Sequence, residues 1–322
     1  MLLRWGMAGG GAGGGGQPSL VLGFADLGAG AVDTSSQGVA VTPTFTRATA
    51  AAAKLSTGLW KLDVASGVAR YSYNDATTAV STTGGYFAEG AATQLATNVR
   101  DMTNAAWVKV TMTTAQTSTG IDGVSNSCTR ITAAGANSTI LQTLVAAATS
   151  RTYSCWVKRI TGTGTVLLKQ GTATLDITAL INSATFTRVE LPDNELNVAY
   201  GIQINTSTDA LDVDCNQFEA GAFATSPIPA AGTRNADVMT YAFAPTAPGT
   251  LFVAGRAVNA PQTGDFAGFV GLNDNTGNEE VYLGRNSGIS RGFVTDGGVA
   301  QASLVMPAWA DGASSKLAIA FA

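Results

Sequence analysis

The run Arg151–Ile160, RTYSCWVKRI, alternates with a period of two. Tyr153, Cys155 and Val157 fall on one face, and Ser154, Trp156 and Lys158 on the other. The same period returns in AYGIQINTS, where Tyr200, Ile202 and Ile204 face in while Gly201, Gln203 and Asn205 face out. It returns again in ALDVDCNQFE, where Leu211, Val213 and Cys215 oppose Asp212, Asp214 and Asn216. TGTGTVLLKQG and ATFTRVELPD add further strand-like runs, bounded by Gly, Asn and Pro. Many short strands with frequent turn signals and no helical spacing between them predict an antiparallel β-sandwich over residues 96–243.

Outside that stretch the text changes. Residues 1–17 form a Gly-rich arm, flexible by itself or ordered on a partner. Residues 18–95 read as a β-rich anchor region. Within it, Ser66-Gly67 separates LWKLDV from VARYSY as in a hairpin, and ATAAAAKL (Ala48–Leu55) has the composition of one helical turn. Residues 244–322 restart the alternation as a second sandwich with few strands for closure. Its last strand, Leu317–Phe321, is apolar with no turn behind it. Such an edge needs cover from a neighbouring chain or from further sequence. The expected class is all-β: antiparallel, jelly-roll-like sandwich modules in tandem behind the arm.

Composition narrows the chemistry. Only 12% of the 322 residues are charged and the net charge is −4, with no basic block, so nucleic acid is not an expected partner. No apolar run approaches the ~20 residues of a membrane span, and the N-terminal apolar piece is too short for an export signal. The chain has no histidine, which removes the Ser-His-Asp triad and His-ligated metals. Paired carboxylates remain possible. Cys128, Cys155 and Cys215 lie inside strand-like runs, as buried free thiols would.

One pattern occurs twice. In QFEAGAFATSPIP (Gln217–Pro229) and YFAEGAATQLATN (Tyr86–Asn98), an aromatic residue and a Glu precede a Gly and a run of small residues. Glu219 and Glu89 thus sit where a carboxylate accepts turn amides, and they are candidate turn braces. Trp156 points away from the core face of its strand, free to stack on a sugar or pack on another module. Trp107 opens a strand and suits a core. Asp209, Asp212 and Asp214 form an acidic ladder, either solvated or a calcium site. LNDNTGNEE (Leu272–Glu280) has the composition of a calcium loop but is more simply a hairpin turn.

ATNVRDMTNAAWVK, IDGVSNSCTRIT, TYSCWVK, TFTRVEL and QFEAGAFATSPIPAAGTRNAD occur in that order. Together they resemble the carbohydrate-binding-module-like sandwich of tail fibres and other virion proteins of tailed bacteriophages. Its closing motif is matched at Gln217, Glu219, Gly221, Thr225, Ser226, Ile228, Pro229, Arg234, Ala236 and Asp237. GTLFVAGRAV looks like the start of a concanavalin-like sandwich, which often follows in such proteins. Pro227 stands where the family usually has an aromatic residue, and Ile121 where a Pro commonly precedes Asp-Gly.

The resemblance implies a phage virion structural protein, a tail fibre or related appendage, assembled in the host cytoplasm and located on the particle. Its arm would dock on other virion proteins, its chains would form a homotrimer, and its modules would be displayed for host attachment. Neither catalytic residues nor cofactor nor metal is expected. A carbohydrate-binding adhesin gripping a host glycan through Trp156 and Trp107 remains an alternative, as does a head fibre or capsid decoration protein. A two-carboxylate depolymerase is the most remote reading.

Overall fold

The computed structural model describes residues 4–6, 21–23, 44–55, 57–72, 85–86, 88–196, 198–221, 223–240, 249–256, 266–273, 278–286, 289–307 and 314–321. Every regular element among them is a β-strand, and the strands pair into several antiparallel sheets. The chain divides into two compact units. One comprises residues 47–68 and 89–237; the other comprises 1–46, 69–88 and 238–322. The 18–95 segment, read from sequence as one anchor region, is therefore shared between them.

The first unit is a two-sheet sandwich. One sheet runs in the order Met112–Ser118, Cys128–Ala133, Ala210–Ala220, Arg151–Thr161, Thr187–Asp193, with the short strand Ala92–Gln94 attached to Ala210–Ala220 and Gly232–Arg234 attached to Ala92–Gln94. The other runs Ala173–Asp176, Val166–Gln170, Ala199–Ile204, Ser138–Thr143, Val108–Val110. The alternation read in the sequence aims Tyr153, Val157, Leu211 and Val213 from the first sheet at Ile140, Leu168, Ile202 and Ile204 from the second. Tyr200 sits among three rings: stacked on Phe218 at 4.2 Å, tilted against Tyr153 at 5.2 Å and edge-on to Trp107 at 5.9 Å. Aromatic groups bury large area in such clusters and gain from offset and edge-on geometry. Gly201 is required by packing: a Cβ there would lie 2.1 Å from the Ile140 carbonyl oxygen on the neighbouring strand.

The outer face of the first sheet is covered too. Strands Ala51–Lys54 and Trp60–Val64 pair as a small hairpin, and Ala52, Trp60 and Leu62 cluster with Ile121, Trp156 and Cys215. Two local expectations change here. The Ala48–Leu55 stretch holds an extended strand, because its buried alanines fit flat against the sheet. The Ser66-Gly67 turn exists, with Gly67 at φ 69°, but Trp60–Val64 pairs backward onto Ala51–Lys54, and Tyr71–Ser72 pairs with Gly85–Tyr86.

The second unit contains the meander Phe266–Asn273, Glu280–Asn286, Ile289–Asp296, Val299–Val305. A second four-stranded sheet runs Val21–Gly23, Arg4–Gly6, Gly249–Arg256, Ser314–Phe321. A Cβ on Gly292 would meet Ile319 at 3.0 Å and Leu283 at 3.5 Å, so the two sheets approach closely there. Two strands missing from the sequence reading come from further up the chain: Arg4–Gly6 of the Gly-rich arm, whose Trp5 pairs with Val253, and Val21–Gly23 of the 18–95 segment; residues 1–3 and 7–17 of the arm lie outside the described residues. The apolar C-terminal strand is paired within the chain from Gly249↔Phe321 to Arg256↔Ser314, and Leu317 and Ile319 are buried.

Candidate functional site

The turn after Ala210–Ala220 brings the two echoed sequences together. The strand reaches it through a two-for-one bulge: register passes from Trp156↔Asp214 to Ser154↔Gln217, so Cys155 faces both Cys215 and Asn216. Cys215 takes φ 46°, a left-handed conformation that costs an L-residue roughly 1–2 kcal/mol. The bulge reverses the alternation. Asn216 and Phe218 turn into the sandwich, where Tyr153 Oη donates to Asn216 Oδ1 at 2.7 Å. Cys215 joins the outer cluster instead of the core face expected for it. Gln217 and Glu219 consequently lie on the outer face of the sheet.

There they bind the turn residue by residue. Glu219 is 1% exposed; its Oε2 accepts from the Thr225 amide at 2.9 Å and from Gln217 Nε2, and its Oε1 accepts the Thr225 hydroxyl at 2.6 Å. Gln217 Oε1 accepts the Ile228 amide at 2.8 Å. Burial pushes the Glu219 carboxyl above its ordinary range, against the pull of the Thr225 and Gln217 hydrogen bonds and the more distant Arg188 charge. Arg188 Nη2 donates to the Thr225 carbonyl and, at 3.3 Å, to Ser154 Oγ.

Glu89 performs the same operation on the next residue. It accepts the Ser226 amide at 2.8 Å and the Ser226 hydroxyl, and Arg234 Nη1 donates to it at 2.5 Å. Arg234 continues to Ser226 Oγ at 2.8 Å and the Gly90 carbonyl at 2.7 Å. Asp237 Oδ2 accepts the Glu89 amide at 3.0 Å, and its Oδ1 pairs with buried Arg47 at 2.7 Å. Gln94, five residues after Glu89, accepts the Ala96 and Phe218 amides at 3.0 and 2.8 Å and donates to Asn216 and Ile228 carbonyls. The two echoed carboxylates thus hold adjacent residues of one turn. Gln94 and Arg47 are the members that the sequence reading missed: Gln94 was visible only as part of the echo, and nothing in the sequence marked Arg47.

The other candidates are placed elsewhere. Trp107 is interior, with Nε1 donating to the Asn98 carbonyl at 3.1 Å. Trp156 does point away from the sandwich core, but Trp60 of the hairpin meets it edge-on at 5.6 Å, and 7% of it is exposed. Arg188 lies 6.0 Å over its ring. Neither tryptophan presents a bare ring face to solvent.

The acidic ladder is neither solvated nor a metal cluster. Arg100 grips Asp214 through Nε and Nη2, both at 2.8 Å, and Asp122 at 2.6 and 3.0 Å. Burial pushes Asp122 upward, but the Arg100 hydrogen bond and the Val124 amide outweigh it and hold this carboxyl below its usual range. Asp212 takes Arg130 at 2.9 Å and Ser118 at 2.7 Å, and Asp209 takes Arg159 at 3.3 Å and the Gly164 amide at 2.8 Å. No group of three or more Cys, Asp or Glu among the described residues could hold a metal ion. The three cysteines are buried and unbridged; burial pushes Cys128 and Cys155 to about 12. Residues 274–277 of the Leu272–Glu280 stretch lie outside the described residues, and its flanking strands pair antiparallel through Asn273↔Glu280.

Comparison with family models, curated proteins and solved structures finds no match to this chain.

Proposed function

We propose that this chain is a virion structural protein of a tailed bacteriophage, an appendage subunit that carries β-sandwich modules outward for host attachment. The observation that carries the reading is the turn assembly. Gln217, Glu219, Thr225, Ser226, Ile228, Arg234 and Asp237, through which the sequence resembles phage sandwich modules, are joined in one hydrogen-bonded network. That is the behaviour expected of residues that close a module. The charged groups nearby are likewise spent on scaffold contacts, which suits a protein whose work is assembly and display.

The adhesin reading needs a glycan surface other than the rings of Trp156 and Trp107. The test of the appendage reading is native mass spectrometry of the full chain, in multiples of 32.6 kDa. A trimer is the expected result. A stable monomer across micromolar concentrations counts against an appendage subunit and favours a single-chain binding module.

A further inference from the structure

We infer that Thr225 and Gln217 form an intramolecular ester cross-link, made by attack of the Thr225 hydroxyl on the Gln217 side-chain amide with Glu219 as the proton carrier. The inference is independent of the virion reading.

Four components of an acyl transfer are assembled around this pair. The nucleophile is Thr225 Oγ1, which lies 3.5 Å from Gln217 Nε2, the amide nitrogen bonded to the carbon to be attacked. The base is Glu219, whose Oε1 accepts the Thr225 hydroxyl at 2.6 Å. The same carboxyl reaches the leaving group, because Gln217 Nε2 donates to Glu219 Oε2. The electrophile is polarised: the Ile228 amide donates to Gln217 Oε1 at 2.8 Å, where negative charge develops as the carbonyl becomes tetrahedral. Each group is held by the sheet or the turn before any reaction, and the hydroxyl has to turn from the amide nitrogen onto the adjoining carbon.

The step balances without a further reagent. Glu219 takes the hydroxyl proton as Thr225 Oγ1 bonds to Gln217 Cδ, and the Ile228 amide steadies the resulting oxyanion. Collapse breaks the Cδ–Nε2 bond, and protonated Glu219 returns the proton to the departing nitrogen. The products are a Thr225–Gln217 ester and one ammonia, with Glu219 restored. Burial raises the Glu219 carboxyl above its ordinary range, which makes it a better acceptor for the hydroxyl proton. Water, the competing nucleophile, is scarce where Gln217 and Glu219 are each 1% exposed.

The neighbouring clamp is an internal contrast. Ser226 Oγ is held by Glu89 in a similar way, but Glu89 is paired with Arg234, and Gln217 Nε2 donates to the Ser226 carbonyl at 3.3 Å. Two similar carboxylate–hydroxyl contacts therefore lie side by side, and that of Thr225 has the Gln217 side-chain amide against its hydroxyl.

The experiment is intact mass spectrometry of the full chain, purified and held at neutral pH. The expected product is lighter than the encoded sequence by one ammonia. Proteolysis after Glu219 should leave the two flanking peptides joined, and brief alkali, which hydrolyses esters, should separate them. Thr225→Ser should keep the mass loss, whereas Thr225→Val, which removes the hydroxyl at nearly constant shape, should abolish it. Glu219→Gln should abolish it as well. Wild-type protein that stays at its encoded mass overturns the proposal, whatever the variants do. A loss that persists in Thr225→Val overturns it too, since the ammonia then comes from another site.

Discussion

Replacing Glu89 with Ala tests whether the echoed carboxylates hold the sandwich shut. The change removes the acceptor for the Ser226 amide, the Ser226 hydroxyl and the buried Arg234 guanidinium. All three end on a carboxylate, and a hydrogen bond to a charged group is worth about 1.5–3 kcal/mol. Their full sum overstates the loss where donors find other partners, and deleting one partner of a buried ion pair costs roughly 3–5 kcal/mol. Arg234 keeps the Ser226 hydroxyl and the Gly90 carbonyl, and the Glu89 side chain is 15% exposed, so some water enters. The expected loss is therefore near the lower end, about 3 kcal/mol.

The assay is denaturant unfolding followed by the fluorescence of Trp60, Trp107 and Trp156, all in this unit. Removing Arg234 as well, as Arg234→Met, takes away the stranded charge, so the double variant should lose less than the two single losses added together. A coupling of about 2 kcal/mol is expected from groups in direct contact. A Glu89→Ala loss below about 1 kcal/mol, with coupling inside the ~0.5 kcal/mol scatter of independent sites, refutes the reasoning. The turn would then hold through its backbone alone.

Three more outcomes follow from the same structure. Trp156→Ala should cost about 3–5 kcal/mol of stability in the same assay, because it empties the space between the hairpin and the sheet; an unchanged midpoint would mean that the hairpin does not rest on it. Gly201→Ala should cost at least ~3 kcal/mol, from φ 153° plus a methyl placed 2.1 Å from a backbone oxygen; wild-type thermal stability in that variant would contradict the strand register. The folded-state pKa of Asp122 is depressed, so its stabilisation is present above the ordinary carboxylate range and is lost as pH falls through the folded-state value. The melting temperatures of wild type and Asp122→Asn should accordingly differ at neutral pH and converge in acid, and a gap that widens in acid would reverse the sign argued here.

The strand alternation was legible because each sheet face repeats every two residues, which is why Tyr153, Val157, Tyr200, Ile202, Leu211 and Val213 all face the core as read. The reading failed at Cys215, where a bulge inserts one residue and moves Asn216 into the core; no residue type there announces it. Strand partners were less legible than strands. Trp60–Val64 could pair with either neighbour, and the buried face of Trp156 decides the choice from about a hundred residues away. The pairing of the arm's Arg4 and Trp5 with Ala254 and Val253 joins residues about 250 positions apart, which local pattern cannot show. At the site, the braces Glu219 and Glu89 were visible as an echo. That they act on adjacent residues was not, because Glu89 and Ser226 are 137 positions apart.

The low charge content acquires a physical meaning once those contacts are drawn. A chain with 12% charged residues would ordinarily spread them over its surface for solubility. In the sandwich unit many are instead drawn into pairs: Arg47 with Asp237, Arg100 with Asp122 and Asp214, Arg130 and Lys158 with Asp212, Arg159 with Asp209, and Arg234 with Glu89. Replacing such pairs with apolar residues is often neutral or stabilising, so stability alone does not explain them. Most tie a loop or a neighbouring strand to a strand, while Arg47–Asp237 and Arg100–Asp122 join one loop to another. The Asp side chains of one strand, Asp212 and Asp214, bind Arg130, Lys158 and Arg100 from three other segments, so a slipped register would strand buried charge at several points together. The carboxylates that resembled a solvated ladder thus specify register and loop position, while threonine, serine and asparagine supply much of the polar exterior.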